Sequence, residues 1–388
     1  MNKTIKVLHI ASFIGNIGDC ANHTGTEWLR RQYLSYQFNV TQKEIRNFYG
    51  KEWLFNSDDF ISEANSYDLV IIGGGNYFEL WVEHSSTGCS IDLDEEHLSR
   101  IHTPILFYAL GLDLGMGYSQ STVEKFRHFM DLIAQRNNCF VTLRNDGAMV
   151  NMQKLYKNRY PSVRKIPDGG FFTYVPQLKH YEMKPVCKNV LINLAGDMLD
   201  IRYPGHDEFL TYDNAIDEFA TAINILYNAD GTVNFIFVPH IFKDIKIIHD
   251  IIAILPDIIR RQNVAVSPYL LGMTGHDYIF SLYEQADLVW ANRFHANVCS
   301  YALKTNVIGI VNYPQISYLY DDLGSAEYII SNRSGFADQL VEKTQKHFGE
   351  PETYMKKQES IMEKIHNEAK AVYDDINLWL DGQMREVL

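Results

Sequence analysis

The sequence predicts an α/β fold with two Rossmann-like domains, and three observations carry that prediction. Short β-branched runs alternate with stretches of helical periodicity, the signature of βαβ units and parallel sheets. The runs are apolar at consecutive rather than alternate positions, as befits strands covered on both faces. The alternation is broken once, in a Pro-, Lys- and His-rich stretch at 175–188, and then resumes.

The elements follow in order. Residues 5–11 read as a first strand, followed by the loop Gly15-Asn16-Ile17-Gly18-Asp19 and a helical stretch over 26–36. A second strand, 69–72, ends at Gly73-Gly74-Gly75-Asn76. The segment 79–102 is polar and acid-rich and reads as a long loop or short helix able to cover a cleft. A strand over 105–110 ends at Gly111. Apolar residues at Val123, Phe126, Phe129, Met130 and Ile133 then recur at helical spacing. Residues 139–143 form a strand that ends at Arg144, and 163–166 one that ends at Asp168-Gly169-Gly170. After the break, strands are expected at 189–194, 233–238, 264–266, 288–290 and 307–311. Helices are expected at 213–227, 245–259, 277–285 and 295–302. A long helix from about 353 to 380 carries the stripe Ile361, Ile365, Ala369, Val372, Ile376 and Trp379. The predicted domains are therefore 1–180 and 186–348, with 349–388 a helical appendage that packs back on the first. Ligands of such folds sit outside the carboxyl ends of the strands, so the residues just after each strand are the candidates for function.

Composition narrows the class. The 388 residues carry a net charge of −13, which argues against nucleic-acid backbone binding as the main task. Hydrophobic residues make up 46% and charged ones 21%, which excludes a disordered chain. No apolar run reaches the ~18 residues of a spanning helix, and the start reads as a strand rather than a signal. Cys20, Cys89, Cys139, Cys187 and Cys299 are odd in number with no C-x-x-C pair. Free thiols in the cytoplasm are expected, with no zinc site.

Several motifs carry chemistry, each beside a plainer reading. Gly15 to Asp19 follows a strand and opens a helix, where backbone N–H groups favour an anion; the plainer reading is a tight turn with a cap. The pattern is neither G-x-G-x-x-G nor a Walker loop. Gly73 to Gly75 cost backbone entropy unless a ligand or another chain segment comes close. Arg144 is either a fixed anion ligand or the partner of a local carboxylate such as Asp146. Ala291-Asn292-Arg293-Phe294-His295 is the sharpest feature: Arg293 and His295 meet at a strand-to-helix turn, where a histidine can act as general acid. His240 is either a substrate contact or a satisfied structural histidine.

In this order the motifs resemble the polysaccharide pyruvyl transferase family. The matching pieces are Gly15 to Asp19, Gly73 to Gly75, Tyr108 to Gly111, Leu143 to Asp146, Pro167 to Gly169, Val238 to His240, and Ala286 to Val289 with Arg293-Phe294-His295-Ala296. The resemblance implies a GT-B-like arrangement of the two domains. It also implies transfer of the enolpyruvyl group of phosphoenolpyruvate onto two hydroxyls of a sugar, giving a cyclic pyruvate ketal. On that reading His295 is the catalytic acid, and Arg144, Arg293, Gly15, Asn16, Gly74 and Gly75 bind the donor. Asp19, Asn76, His240 and Tyr313 face the acceptor, a glycan or its lipid-linked precursor. No cofactor or metal is implied beyond phosphoenolpyruvate as co-substrate. The implied location is the cytoplasm or the inner membrane face, with at most peripheral membrane contact and a homo-oligomer left open. The chain departs from the family at Gln315, where a lysine is usual, at Gly111-Leu112-Asp113, and in the insertion-like 79–102. Two other readings stay open: a GT-B glycosyltransferase using a nucleotide sugar, and a silent glycan-binding paralogue.

Overall fold

A computed structural model describes residues 3–229 and 231–386. It contains two six-stranded sheets, parallel throughout. The first has the order β2-β1-β3-β4-β5-β6 and is built from β1 (Lys3–Ala11), β2 (Tyr36–Glu44), β3 (Leu69–Gly73), β4 (Ile105–Leu110), β5 (Cys139–Arg144) and β6 (Arg164–Ile166). The second has the order β12-β11-β10-β7-β8-β9. Its strands are β7 (Lys188–Asn193), β8 (Val233–Phe237), β9 (Val264–Val266), β10 (Leu288–Ala291), β11 (Val307–Val311) and β12 (Ile329–Ser331). The strand order reverses between β1 and β3 in one sheet and between β7 and β10 in the other. Open α/β sheets bind ligands at such switch points.

The central strands behave as their composition requires. All residues of β3, β4, β8 and β10 are buried, so helices cover both faces. Two strands escaped the sequence reading. β2 is an edge strand whose Tyr36, Phe38 and Val40 are half-buried while the intervening residues are exposed. Its signal is a weak period of two, not an apolar run. β12 is only three residues long.

The chain divides into two compact units. Unit 1 comprises residues 1–14, 26–169 and 365–388; unit 2 comprises 15–25 and 170–364. Helix α1 (Ile17–Tyr33) and helix α2 (Pro351–Glu386) each supply residues to both units. The apolar stripe of α2 is buried at Ile361, Ile365, Ala369, Val372 and Ile376. Within unit 1 the Tyr373 and Tyr108 hydroxyls hydrogen-bond at 2.8 Å, and the Trp379 indole donates to the Asn137 carbonyl at 2.9 Å. The acid-rich segment after β3 is a long loop with one short helix, as its composition implies, and it is anchored in the core. Leu80, Cys89, Ile91 and Leu93 are all fully buried in the unit 1 core, and Asp94 caps a short helix at Glu95–Ser99. No described helix is long and apolar enough to cross a membrane.

Candidate active site

The site in unit 2 forms where β7, β8, β10 and β11 end. Arg293 leaves β10 as the N-cap residue of helix α3 (Phe294–Ala302), and its backbone N–H donates to Asn193 Oδ1 at 3.1 Å. Its guanidinium meets two carboxylates. Nε donates to Asp244 Oδ2 at 2.9 Å, and Nη2 donates to Asp244 Oδ1 and, at 2.8 Å, to Asp197 Oδ1. Asp244 is fully buried and also accepts the backbone N–H groups of Gly196, His240 and Ile241. It is therefore a fixed anchor. Asp197 is 21% exposed, carries a single bond to Arg293, and so is the looser partner. Burial alone would lower the Arg293 pKa, but the Asp244 and Asp197 charges outweigh it and raise the pKa. Burial opposes ionisation of Asp197, and Arg293 and Arg202 overcome it, holding the carboxyl below its usual range.

Arg202 completes the cluster. Its Nη1 donates to Asn312 Oδ1 at 3.0 Å, and its guanidinium lies 5.2 Å from the centre of the Tyr313 ring. Two arginines and two aspartates thus cancel in formal charge. Asn193 and Asn292 bind neighbouring strand exits together: Asn292 Oδ1 accepts from Ala195 N at 2.9 Å and its amide donates to the Ile310 carbonyl.

His295 is the second residue of α3, half-buried. Gly18 packs against its ring so closely that a Cβ on Gly18 would stand 2.4 Å from Nδ1. The helix start there is capped by Asn16, whose Oδ1 accepts from Gly18 N at 2.9 Å. Gly15 has φ +99°, a conformation natural to glycine. Gly15, Asn16, Gly18, Asp19, Arg293 and His295 all belong to unit 2. The G-x-x-G-D loop and the R-F-H-A turn, far apart in sequence, are thereby brought together.

Other expected residues sit differently. Arg144 is buried in unit 1, where it pairs with Asp146 at 2.7 Å and Asp168 at 3.3 Å. Of its two open readings, the local carboxylate partner is the one realised. The guanidinium ties two strand exits together. His240 is 1% exposed, and its Nε2 lies 3.0 Å from the Tyr283 hydroxyl. Burial and the charges of Arg293 and His295 push its pKa well down. It sits in the core, held against Tyr283. Tyr313 is 5% exposed beneath Arg202 and likewise packs rather than faces solvent. The triple glycine is explained by the chain itself. A Cβ on Gly73 would fall 1.9 Å from the Tyr108 carbonyl oxygen, one on Gly75 2.5 Å from the Tyr77 ring, and Gly74 has φ +88°. Asn76 belongs to the same unit 1 turn, with its amide 3.4 Å from Asp113.

Asp197, Arg202, Asp244 and Asn193 were missed by sequence reasoning. Asp197 had a usable signal, since Gly196-Asp197 follows an apolar strand in the same grammar as Gly15 to Asp19. Asp244 had none, because an acid opening a helix reads as a cap.

The model of the polysaccharide pyruvyl transferase family matches residues 3–313. The chain belongs to the polysaccharide pyruvyl transferase family. Membership makes it a transferase with a pyruvyl-transfer role in polysaccharide biosynthesis. Among solved structures, the pyruvyl transferase fold is similar to a glycosyltransferase from Rickettsia africae, with a TM-score of 0.57 at 10% identity, covering 99% of this chain and 98% of that one. It is also similar to S. aureus MnaA, solved with UDP, with a TM-score of 0.54 at 10% identity, covering 95% and 97%. The lipopolysaccharide glycosyltransferase WaaG gives 0.50 at 12% identity, covering 96% and 98%. At such identities the likeness is one of fold, the GT-B type. No curated protein matches the sequence.

Proposed function

We propose that this pyruvyl transferase uses phosphoenolpyruvate as donor and the sugar of a cell-surface polysaccharide or its lipid-linked precursor as acceptor. The observation that carries the reading is the packing of the Gly18 backbone on His295 beside the Arg293 cluster. Gly18 holds the imidazole in one place, and the opening of α1 presents backbone N–H groups that favour a phosphate. Asp197 is the looser carboxylate on Arg293, and an incoming donor carboxylate takes its place there while Asp244 keeps the guanidinium oriented.

The chemistry then runs through His295. Its imidazolium gives a proton to the methylene carbon of phosphoenolpyruvate, and the adjacent carbon gains positive character. One acceptor hydroxyl bonds to that carbon and loses its proton. The carbon–oxygen bond to phosphate breaks, and the second hydroxyl closes the ketal ring. Two protons leave the hydroxyls, one enters the methyl group, and the other departs with phosphate, so the sum is balanced.

The test combines binding and turnover. Phosphoenolpyruvate should raise the melting temperature of the wild-type protein and fail to do so for Arg293→Ala. His295→Ala should keep that stabilisation and lose about 10²–10⁴-fold in phosphate release with a verified acceptor. S. aureus MnaA was solved with UDP, so a UDP-sugar arm belongs in the same experiment. Stabilisation by the UDP-sugar alone would overturn the donor assignment in favour of glycosyl transfer.

A further inference from the structure

Unit 1 contains a cavity of about 280 Å³ that the chemistry above leaves unused. It lies among the loops that follow β2 and β3, the strands on either side of β1. Its wall comes from Phe48 to Asn56 and from Glu79 to Asp92, the second being the insertion-like segment of the sequence.

The lining has an unusual combination of features. Trp81 and Tyr49 are 46% and 43% exposed, and Leu54 is 50% exposed, so large apolar groups face solvent at one place. The polar rim beside them is tied down: the half-buried Glu79 carboxyl accepts from Ser90 Oγ at 2.8 Å. A rim ordered before binding lowers the cost of holding a ligand there. Asp92 performs the same service for the loop by accepting from Ser86 N at 2.8 Å and Ser86 Oγ at 2.6 Å.

The chemistry of the lining selects the ligand. Glu79 and Asp92 stand on the wall against Lys51 and His84, so the lining offers no cluster of cations for a phosphate or carboxylate group. The volume is near the low end of the ~300–1,000 Å³ of small-molecule sites, which suits one ring rather than a nucleotide. Aromatic faces with hydrogen-bonding rims suit a molecule that is apolar on one side and hydroxylated at its edge. A neutral pyranose has that form. We propose that this cavity is a saccharide subsite that takes one neutral sugar unit of the acceptor glycan, with its C–H face on Trp81 and its hydroxyls toward Glu79 and Ser90. The identification of the glycan as acceptor rests on the function proposed above; the saccharide site itself does not.

The experiment is a glycan array carrying neutral, uronate-containing and phosphorylated saccharides, probed with the full chain in the absence of phosphoenolpyruvate. Neutral glycans should be retained. Trp81→Ala should weaken retention at least tenfold, Trp81→Phe should restore part of it because a ring face returns, and Glu79→Gln should weaken it less than Trp81→Ala. Trp81 is exposed, so these variants should melt with the wild-type protein and keep its stabilisation by phosphoenolpyruvate. Retention of no neutral glycan, retention of anionic glycans alone, or retention unchanged by Trp81→Ala would each overturn the subsite. Trp81-dependent retention in a protein that phosphoenolpyruvate does not stabilise would instead leave the subsite standing and overturn the donor.

Discussion

At the scale of single residues, the site depends on a missing side chain and on two carboxylates that share one guanidinium. Gly18 lacks the carbon that would collide with His295. Gly18→Ala should push the ring from its place and lower kcat by at least tenfold while phosphoenolpyruvate still binds. Its cost in stability should be about 1–3 kcal/mol, the usual range for overpacking; steady-state kinetics beside a melting curve separates the two. On the proposed function, Asp197 competes with the donor carboxylate for the Arg293 guanidinium. Asp197→Asn should therefore lower the phosphoenolpyruvate concentration required for half-maximal thermal stabilisation, and an increase would show that Asp197 contributes to donor binding. Asp244 is different, because it is buried and paired. Removing one partner of a buried ion pair typically costs about 3–5 kcal/mol, so Asp244→Ala should unfold at markedly lower denaturant. Arg293 and His295 were legible in the sequence because they follow an apolar run at a strand exit. The carboxylate partners of Arg293 were not, because the contacts join residues separated by 49 and 96 positions.

At the scale of elements, legibility followed burial. Strands covered on both faces announce themselves as apolar runs, and β1, β3, β4, β5, β7, β8, β10 and β11 were readable for that reason. β2 has one face half-covered and produced no run; β12, no shorter than the β6 and β9 that were readable, was passed over. The 79–102 segment is the long loop with a short helix that its polarity implies; what its composition hid is the inward turn of Leu80, Cys89, Ile91 and Leu93, which lack regular spacing. Helix α2 was legible from its stripe alone, and its ends were set by structure at Pro351 and Glu386. Ile376 on that stripe is 1% exposed. Ile376→Ala should destabilise the protein by about 3 kcal/mol through lost burial and the cavity left behind, measurable by urea unfolding.

At the scale of the whole molecule, stability should fall as pH falls below neutrality. Burial holds the pKa values of His240, His276 and His347 below the ordinary histidine value, His347 down to about 3. For His347, the neighbouring Lys343 and Lys346 add to that effect. A group with a depressed folded pKa binds fewer protons folded than unfolded. Its stabilising contribution is present above the unfolded value near 6.5 and is lost progressively below it. For His347 alone the loss between pH 6.5 and 5 is about 2 kcal/mol. His347→Leu should flatten the melting temperature across that interval, and an unchanged slope would assign the pH dependence to other groups. The net charge of −13 says little about the site, since its arginines and aspartates cancel locally.

The shared ownership of α2 has a consequence during synthesis. β1 to β6 leave the ribosome early, but the segment from Ile365 that buries Tyr373, Ile376 and Leu380 in unit 1 is translated only after residues 170–364. The first sheet therefore waits, partly uncovered, while the whole of the second is made. Segments in that state are aggregation-prone. Late frameshifts or premature stops should be far more damaging than the surface position of a terminal helix would imply, and a nascent chain stalled before Ile365 is where a chaperone should be found bound.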